Sequence, residues 1–346
     1  MNKSLNFNNL FIDNVFPAPG FSMLVNDRRK ILLEKSIGLA NLQTLKPITP
    51  NTAFRLASLT KQFTTMAIMI LKERKLLSFD DRIEKFFPDF PNYGKNISIR
   101  QLLTHTSGIP DHEKLLYKKI NFGEEPNIYD ALYVLNQQKK LLFKSGEKNQ
   151  YSDSGFVLLA LIIEIVSKKS YSDYLVENIF LPLKMKNTIV IDNASISIQD
   201  KAIGYEKIGN NWKEFDYDPL NYIVGDEGIY STANDLINWS EAWLTDVLVS
   251  EKTLSEALSA GTLTNGSLGK YGFSWLIDTK NNSKLVYQKG TWVGFRNIIM
   301  IDLISGASII FLSNSMMLTN ERDQRVQNAK AILTYAQKKK NCIINI

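Results

Sequence analysis

The chain has little of what several common enzyme mechanisms require. Its 346 residues include one cysteine, Cys342, and two histidines, His105 and His112. A lone cysteine excludes an internal disulfide and a thiolate metal cluster, so the redox compartment is unconstrained. Two histidines supply a zinc site poorly, and the lack of any G-x-S-x-G turn leaves a Ser-His-Asp hydrolase of the nucleophile-elbow kind with little support. Neither G-x-x-x-x-G-K-[ST] nor G-x-G-x-x-G occurs, which removes the phosphate and dinucleotide cradles. No metal or organic cofactor is implied. The longest apolar run, Phe156 to Ile163, is continued by Ile165 and Val166 after Glu164. That is too short and too charged to cross ~30 Å of hydrocarbon, so it reads as a buried helix, and no membrane span is expected. The opening Met1 to Asn9 interrupts every apolar pair with Asn and lacks the continuous hydrophobic segment of a secretory signal. A cytoplasmic location is the expectation, or a periplasmic or secreted one if a leader has been removed.

Charge points to no polyanion. The net charge is +6 and the pI near 9.0, but acidic residues are interleaved with the basic ones nearly everywhere, and no nucleic-acid partner is expected. The compact run Lys338 to Lys340 reads as positive charge at the end of a last helix. With 44% hydrophobic and 22% charged residues the composition is that of a soluble globular protein.

Hydrophobic periodicity then organises the chain. Phe21 to Val25 and Ile31 to Leu33, separated by the polar Asn26 to Lys30, predict a β-hairpin. From Ser58 to Lys75 the apolar positions Leu59, Phe63, Met66 and Ile70 recur at helical spacing. The middle is helical between Pro and Gly breaks, including Ser98 to Thr104, Ile128 to Leu135 and Gly155 to Ser167. Tyr271 to Ile277, Lys284 to Gln288, Phe295 to Asp302 and Ala307 to Ser313 read as four strands, and Asn320 to Lys338 as a closing helix. Strands at both ends with helices between them predict an α+β fold, its antiparallel sheet built from both chain ends and flanked by helices, with an inserted all-helical domain. The boundaries fall at 1–75 and 223–346 for the discontinuous sheet domain and at 76–222 for the insert. A site is expected in the cleft between them.

Among the residues that carry chemistry, Ser58-Leu59-Thr60-Lys61 fits S-x-x-K where a predicted strand, Ala53 to Leu56, gives way to the apolar helix. Residues three apart on a helix are neighbours, so Ser58, Lys61 and Thr65 form a stripe distinct from the apolar face. In an apolar cleft desolvation lowers a lysine pKa and lets the amine take the Ser58 proton. The same spacing at Ser145 to Lys148 lies in a loop and arises by chance. In Tyr151-Ser152-Asp153 an extended backbone points Tyr151 and Asp153 to one side, so phenol and carboxyl can flank one reacting group, although Asp153 or Ser154 also suits the cap of the next helix. Gln288 to Phe295 lies between two predicted strands. There Gly290 lets the backbone approach a ligand, and the amide of Thr291 with that of Ser58 would form an oxyanion hole.

In this order the three stretches resemble the serine β-lactamase and penicillin-binding protein superfamily, most closely its class C branch with the related esterases and D-amino-acid peptidases. The likeness covers about Pro19 to Ser315 and extends to Ile99 to Pro110, Pro182 to Met185 and Gly228 to Leu236. It implies a β-lactamase/transpeptidase-like fold, Ser58 as nucleophile, Lys61 as general base and Tyr151 as proton shuttle. Asp153, Gln288, Gly290 and Thr291 become substrate-binding residues, and His105 a structural histidine. Asp153 stands where many members have Asn, and a carboxylate there raises the Lys61 pKa. Gln288 stands where the family has Lys or His, and alternation turns Lys289 to the other side, leaving its long stem to reach the cleft rim. The implied activity is acyl transfer to water by an ester on Ser58, with a small ester or a D-amino-acid amide or peptide favoured over a β-lactam. The competing expectations are a weak family member that binds a peptide or wall fragment, and a filament-forming scaffold. Restoring a cation by Gln288→Lys is expected to raise acylation by penicillin-like compounds several-fold and to shift the optimum to lower pH, with little effect on uncharged esters. Parallel pH-rate profiles on nitrocefin and p-nitrophenyl acetate check this, and equal effects on both would show that position 288 does not read substrate charge.

Overall fold

The computed structural model describes residues 17–28, 30–119, 121, 125–279, 284–316 and 322–344. The segment Met1 to Asn9, on which the localisation expectation rests, lies outside them. The amino-terminal hairpin forms as expected from β1 (Phe21–Asp27) and β2 (Lys30–Ile37), with one register shift between Val25 and Asn26. A small pair, β3 (Leu39–Asn41) and β4 (Lys46–Pro47), follows, and β5 (Phe54–Arg55) leads into a 3-10 turn at Ala57–Leu59. From there α1 (Thr60–Glu73) runs through the core with every residue from Thr60 to Leu71 buried.

The middle of the chain is mainly helical: α2 (Ile99–Leu103), α3 (His112–Leu116), α4 (Ile128–Asn136), α5 (Ser154–Ser167) and α6 (Tyr171–Leu175). Helix α2 starts with a capping box in which Ser98 and Gln101 bond each other's backbone N–H, which fixes where the helix begins. The Phe156 to Ile163 run is the buried centre of α5, and no described helix is long and apolar enough to cross a membrane. The segment expected to be helical throughout also carries β6 (Ile189–Val190) and the hairpin β7 (Tyr205–Ile208) and β8 (Asn211–Glu214). Strand β6 forms because it finds β9 (Ile229–Ser231), which pairs on its other side with β5. Non-local pairing of this kind leaves no period in a two-residue strand.

After α7 (Ala233–Ala242) and α8 (Glu251–Ala257) the chain returns to the main sheet through β10 (Leu276–Asp278), β11 (Leu285–Trp292), β12 (Phe295–Asp302) and β13 (Ala307–Ser313). The strand order is β10-β11-β12-β13-β1-β2, antiparallel throughout, so the two chain ends complete one sheet. Side chains alternate cleanly. Leu24, Ile299, Ile301, Ile310 and Leu312 join the larger core with α1 and α7, while Met23, Val25, Ile298, Met300, Ile309 and Phe311 pack under α9 (Arg322–Ile344).

Two expectations need correcting. Tyr271 to Ile277 is not one strand: the N–H of Phe273 donates to the Ala257 carbonyl and that of Ser274 to the Leu103 carbonyl, so neighbouring loops capture its backbone. Helix α9 runs to Ile344, which leaves Lys338 to Lys340 inside it and not at its end, and the dipole account of that run fails.

Buried Asn297 ties the sheet to the start of α1. Its Nδ2 donates to the carbonyls of Arg55 at 2.9 Å and Leu56 at 3.2 Å, and its Oδ1 accepts from the Ser313 N–H at 3.2 Å. Asn297→Leu leaves these backbone groups unpaired in the interior and is expected to cost about 3 kcal/mol, read as a lower urea midpoint at unchanged slope. A change below half of that would show that the contacts are replaceable.

Candidate active site

The segment that presents Ser58 is held in an uncommon conformation. Ala57 takes φ +54°, a left-handed value that costs energy for a non-glycine residue, and the N–H of Leu56 donates to the Ile229 carbonyl at 2.8 Å. Ser58 therefore sits in a 3-10 turn just before α1, not in the α-helix itself, but its spacing to Lys61 survives. The Lys61 ammonium is fully buried and spends its three N–H bonds on Asp153 Oδ1 at 2.7 Å, the Asp226 carbonyl at 3.0 Å and Ser58 Oγ at 3.2 Å.

The second element reaches the same point from the loop before α5. Tyr151 and Asp153 face Lys61 together, the Tyr151 ring centre lying 5.1 Å from Nζ. Asp153 is at the cap position of α5 but makes no capping bond; Ser152 Oγ takes the Gly155 N–H instead, so the Asp153 carboxylate is spent on Lys61. His105 holds this loop in place. It takes φ +56°, its carbonyl accepts from the Gln150 N–H and its Nδ1 from the Ser152 N–H, while its ring stacks on Tyr151 at 4.6 Å.

The third element is the far half of β11. Strand β10 pairs only with Leu285 to Tyr287, so from Gln288 onward this edge of β11 borders the cleft. The motif thus lies within a strand and not between two strands. Gln288 and Gly290 face the Ser58 turn, and a side chain at Gly290 would meet the Leu56 carbonyl 2.1 Å away, so only glycine permits this approach. Thr291 faces the other side, where Arg325 of α9 donates to its Oγ1 at 2.9 Å and to the Gly290 carbonyl at 3.1 Å. Lys289 shares that side and still borders the cleft.

Ser58, Tyr151, Asp153, Gln288, Lys289, Thr291 and Arg325 line one cleft of about 390 Å³, and Lys61 and Gly290 lie directly behind it. The Ser145 to Lys148 repeat of the serine–lysine spacing is elsewhere: Ser145 bonds the Ser107 carbonyl and Lys148 covers the Phe143 ring. Sequence reasoning missed Arg325, Tyr271 and a wall of carboxylates, Glu113, Asp226 and Glu227. The signal for the last pair is Gly225-Asp226-Glu227-Gly228, where φ values of +105° and +95° at the two glycines form a tight loop that turns both acids inward.

These carboxylates change the electrostatics expected for Lys61. Burial alone would lower its pKa, but the negative charge of Asp153, with Tyr151, Asp226 and Glu227 behind it, outweighs burial and holds the amine well above its ordinary value. Lys61 is a cation at rest and not the free amine that desolvation alone predicts. Burial pushes the Tyr151 hydroxyl up, with Lys61 opposing. Against the cost of burial, Lys61 holds Asp153 below the usual carboxylate range. Burial raises Asp226 to about 7 and, with Asp153 and Asp226 adding to it, Glu113 to about 9. Burial keeps both histidines neutral, His105 lowered to about 3 and His112 to about 4.

Comparison with known proteins places the chain among relatives of known sequence and fold. The family model for Beta-lactamase matches residues 10–333. The chain is 31% identical to penicillin-binding protein 4* of Bacillus subtilis (strain 168), over 91% of this chain and 72% of that protein. It is 30% identical to protein flp of Staphylococcus aureus (strain MW2), over 86% of this chain and 59% of the length of that protein. The structure of D-amino acid amidase from Ochrobactrum anthropi SV3 shares the fold, with a TM-score of 0.77 at 23% identity, over 93% of this chain and 94% of that one.

Glu113 gives stability a pH dependence. Its folded-state pKa of about 9 lies above its ordinary 4.5, so between those values the folded protein keeps a proton that the unfolded chain has released. Stability falls as pH rises through that window. Glu113→Gln mimics the protonated form, so the variant is expected to melt several degrees above the parent at pH 9 and close to it at pH 5. Thermal melts across pH 5–9 check this, and parallel curves would remove Glu113 as the cause.

Proposed function

The chain belongs to the β-lactamase family, a family of serine hydrolases that includes penicillin-binding proteins, and from that footing we propose that it hydrolyses a small ester or amide through an acyl-enzyme on Ser58. The observation that carries this reading is the buried Lys61 ammonium 3.2 Å from Ser58 Oγ at the floor of an open cleft. In this reading Ser58 Oγ attacks the substrate carbonyl, and the amides of Ser58 and Thr291 receive the oxyanion. The proton cannot pass to Lys61 at rest, because that amine is already charged. Substrate binding expels water and makes the separated charges of Lys61 and Asp153 costlier, so the proton between them shifts to Asp153 and the freed amine takes that of Ser58. Tyr151, beside Lys61, delivers its proton to the leaving group and regains one from Lys61; the freed amine then takes a proton from water, which cleaves the ester, and returns it to Ser58.

The wall opposite β11 favours substrates without an anionic group. Glu113, Asp153 and Glu227 border the cleft, and the buried amide of Gln288 supplies no cation to the penicillin-type carboxylate. The amidase likeness is one of fold and supports an amide among the possible acyl substrates without choosing it. Discrete domains, a sheet unit at 1–75 and 223–346 and an insert at 76–222, belong to this proposal, with the cleft where they meet.

Ser58→Ala is expected to abolish covalent labelling by a fluorophosphonate and all turnover of p-nitrophenyl acetate, with the melting temperature nearly unchanged. Labelling that survives would exclude Ser58, and a folded parent that neither labels nor turns over would favour a binding protein. Asp153→Asn removes the anion that keeps Lys61 charged, so the acidic limb of kcat/KM is expected to move to lower pH. A limb that stays in place would show that Lys61 is not the group that titrates.

A further inference from the structure

Two of the acidic-wall groups, Glu113 and Asp226, converge with His112 on one point outside the serine–lysine machinery. One atom each of His112, Glu113 and Asp226 lies within 4.8 Å of the others. Asp226 and His112 are 2% and 1% exposed, while Glu113 opens onto the cleft that holds Ser58. The His112 tautomer follows from its partners. Ser154 Oγ gives its only proton to the Pro110 carbonyl at 2.7 Å and already accepts the His112 N–H at 2.8 Å, so the ring Nδ1 3.3 Å away must donate to it. Nε2 is then a bare acceptor. All three members of the cluster offer lone pairs, Glu113 through its carbonyl oxygen while it keeps its proton and through both oxygens once an adjacent cation displaces that proton, a step that glutamine cannot make.

The positive charge they need is not supplied nearby. Lys61, the adjacent cation, has its three N–H bonds committed to Asp153, the Asp226 carbonyl and Ser58, so it cannot bond the Asp226 carboxylate. Among the described residues no Lys or Arg forms an ion pair with Glu113, Asp226 or Glu227. Asp226 Oδ1 and Glu227 Oε2 are buried with no hydrogen-bond partner. An unpaired carboxylate oxygen in the interior is costly unless a ligand completes it.

We propose that His112, Glu113 and Asp226 form a subsite for a primary ammonium group on the acyl part of the substrate. The proposal rests on the acyl-enzyme reading and narrows its substrate class to aminoacyl amides or esters. An –NH₃⁺ donates at about 2.9 Å in three tetrahedral directions, which spreads its acceptors to about 4.7 Å. The cluster offers three acceptors within that span. A divalent metal would draw the same atoms to roughly 3.5 Å from one another and place two charges beside the Lys61 ammonium. Glu113, the member of the subsite that opens outward, lines the same cleft as Ser58, so the same molecule can reach the subsite with its ammonium and Ser58 with its carbonyl. Glu227, with its own unpartnered oxygen, adds a further acceptor behind them.

The test compares phenylalanine p-nitroanilide, each enantiomer with a free amine, against its N-acetyl derivative. The free amine is expected to win by at least about tenfold in kcat/KM for one enantiomer, the scale of a hydrogen bond to a charged group, and Glu113→Gln should collapse that ratio. Calorimetry on the parent protein, which needs neither variant nor turnover, should show benzylammonium binding where benzyl alcohol does not. Equal rates for free and acetylated substrates, a ratio that survives in Glu113→Gln, or no benzylammonium binding would each overturn the proposal. Tight binding of Zn²⁺ to the parent, lost in Glu113→Gln and unopposed by benzylammonium, would reassign the cluster to a metal. Fluorophosphonate labelling in the same samples separates the two readings. Labelling without ammonium preference refutes only the subsite, and ammonium binding without labelling refutes only the acyl-enzyme.

Discussion

Everything in the cleft is organised around one buried positive charge. The Lys61 ammonium has no water around it, so it persists only because three acceptors from three separate segments meet it: Ser58 Oγ one turn earlier, Asp153 from the loop before α5, and the Asp226 carbonyl from a glycine-flanked loop. Withdrawing Asp153 or the Asp226 carbonyl would leave an N–H of a charged group unpaired in the interior, whereas Ser58 borders the cleft, where water can take the place of its hydroxyl. The requirement fixes the mutual positions of the sheet edge, the helical segment and the loop after β8. It also sets the electrostatics, since a lysine surrounded in this way is held as a cation at rest. The surplus of carboxylates around it is what outweighs the cost of its burial.

What the amino-acid order reveals of this arrangement depends on how local each interaction is. Ser58 and Lys61 are legible because helical spacing alone brings them together, and Tyr151 and Asp153 because an extended backbone turns alternate residues to one side. Alternation likewise separates Gln288 from Lys289, as the contacts of Gly290 and Thr291 bear out. The sheet built from both chain ends is legible for the same reason, as its strands are long and carry their own period. Glu113, Asp226, Glu227 and Arg325 are not legible, since they come from three distant segments and none has a partner at helical or strand spacing. Tyr271 illustrates the opposite error: the strand-like run around it has the right composition, but the carbonyls of Leu103 and Ala257 take its N–H groups before a sheet can.

Local strain and tight packing gather around the cleft that holds Ser58 and Lys61. Ala57 and His105 adopt left-handed backbones, Gly290 presses against the Leu56 carbonyl, and Gly225 and Gly228 fold the acidic loop inward. The left-handed Ala57 and His105 cost stability locally and are held by bonds to the surrounding core, while the glycines adopt their conformations without strain. The Asn297 side chain is one such bond, joining the two carbonyls before Ser58 to the penultimate layer of the sheet. The reacting hydroxyl is thereby positioned by the sheet and not by the flexibility of its own loop.

The antiparallel pairing of β1 with β13 sets an order of events during synthesis. The Gly20 carbonyl accepts from Ser313 Oγ across 293 residues of chain, and β1 lies between β2 and β13. As the polypeptide leaves the ribosome, β1 and β2 emerge well ahead of β13 and can form only an isolated hairpin, with the apolar edge of β1 uncovered until the long stretch between them has been made. Closing so long a loop is slow compared with pairing neighbours. The hairpin must therefore wait for the last strand, a delay during which a chaperone would be expected to shield it. Because β11 and β12 emerge just ahead of β13, the cleft acquires its final wall only in the same late step.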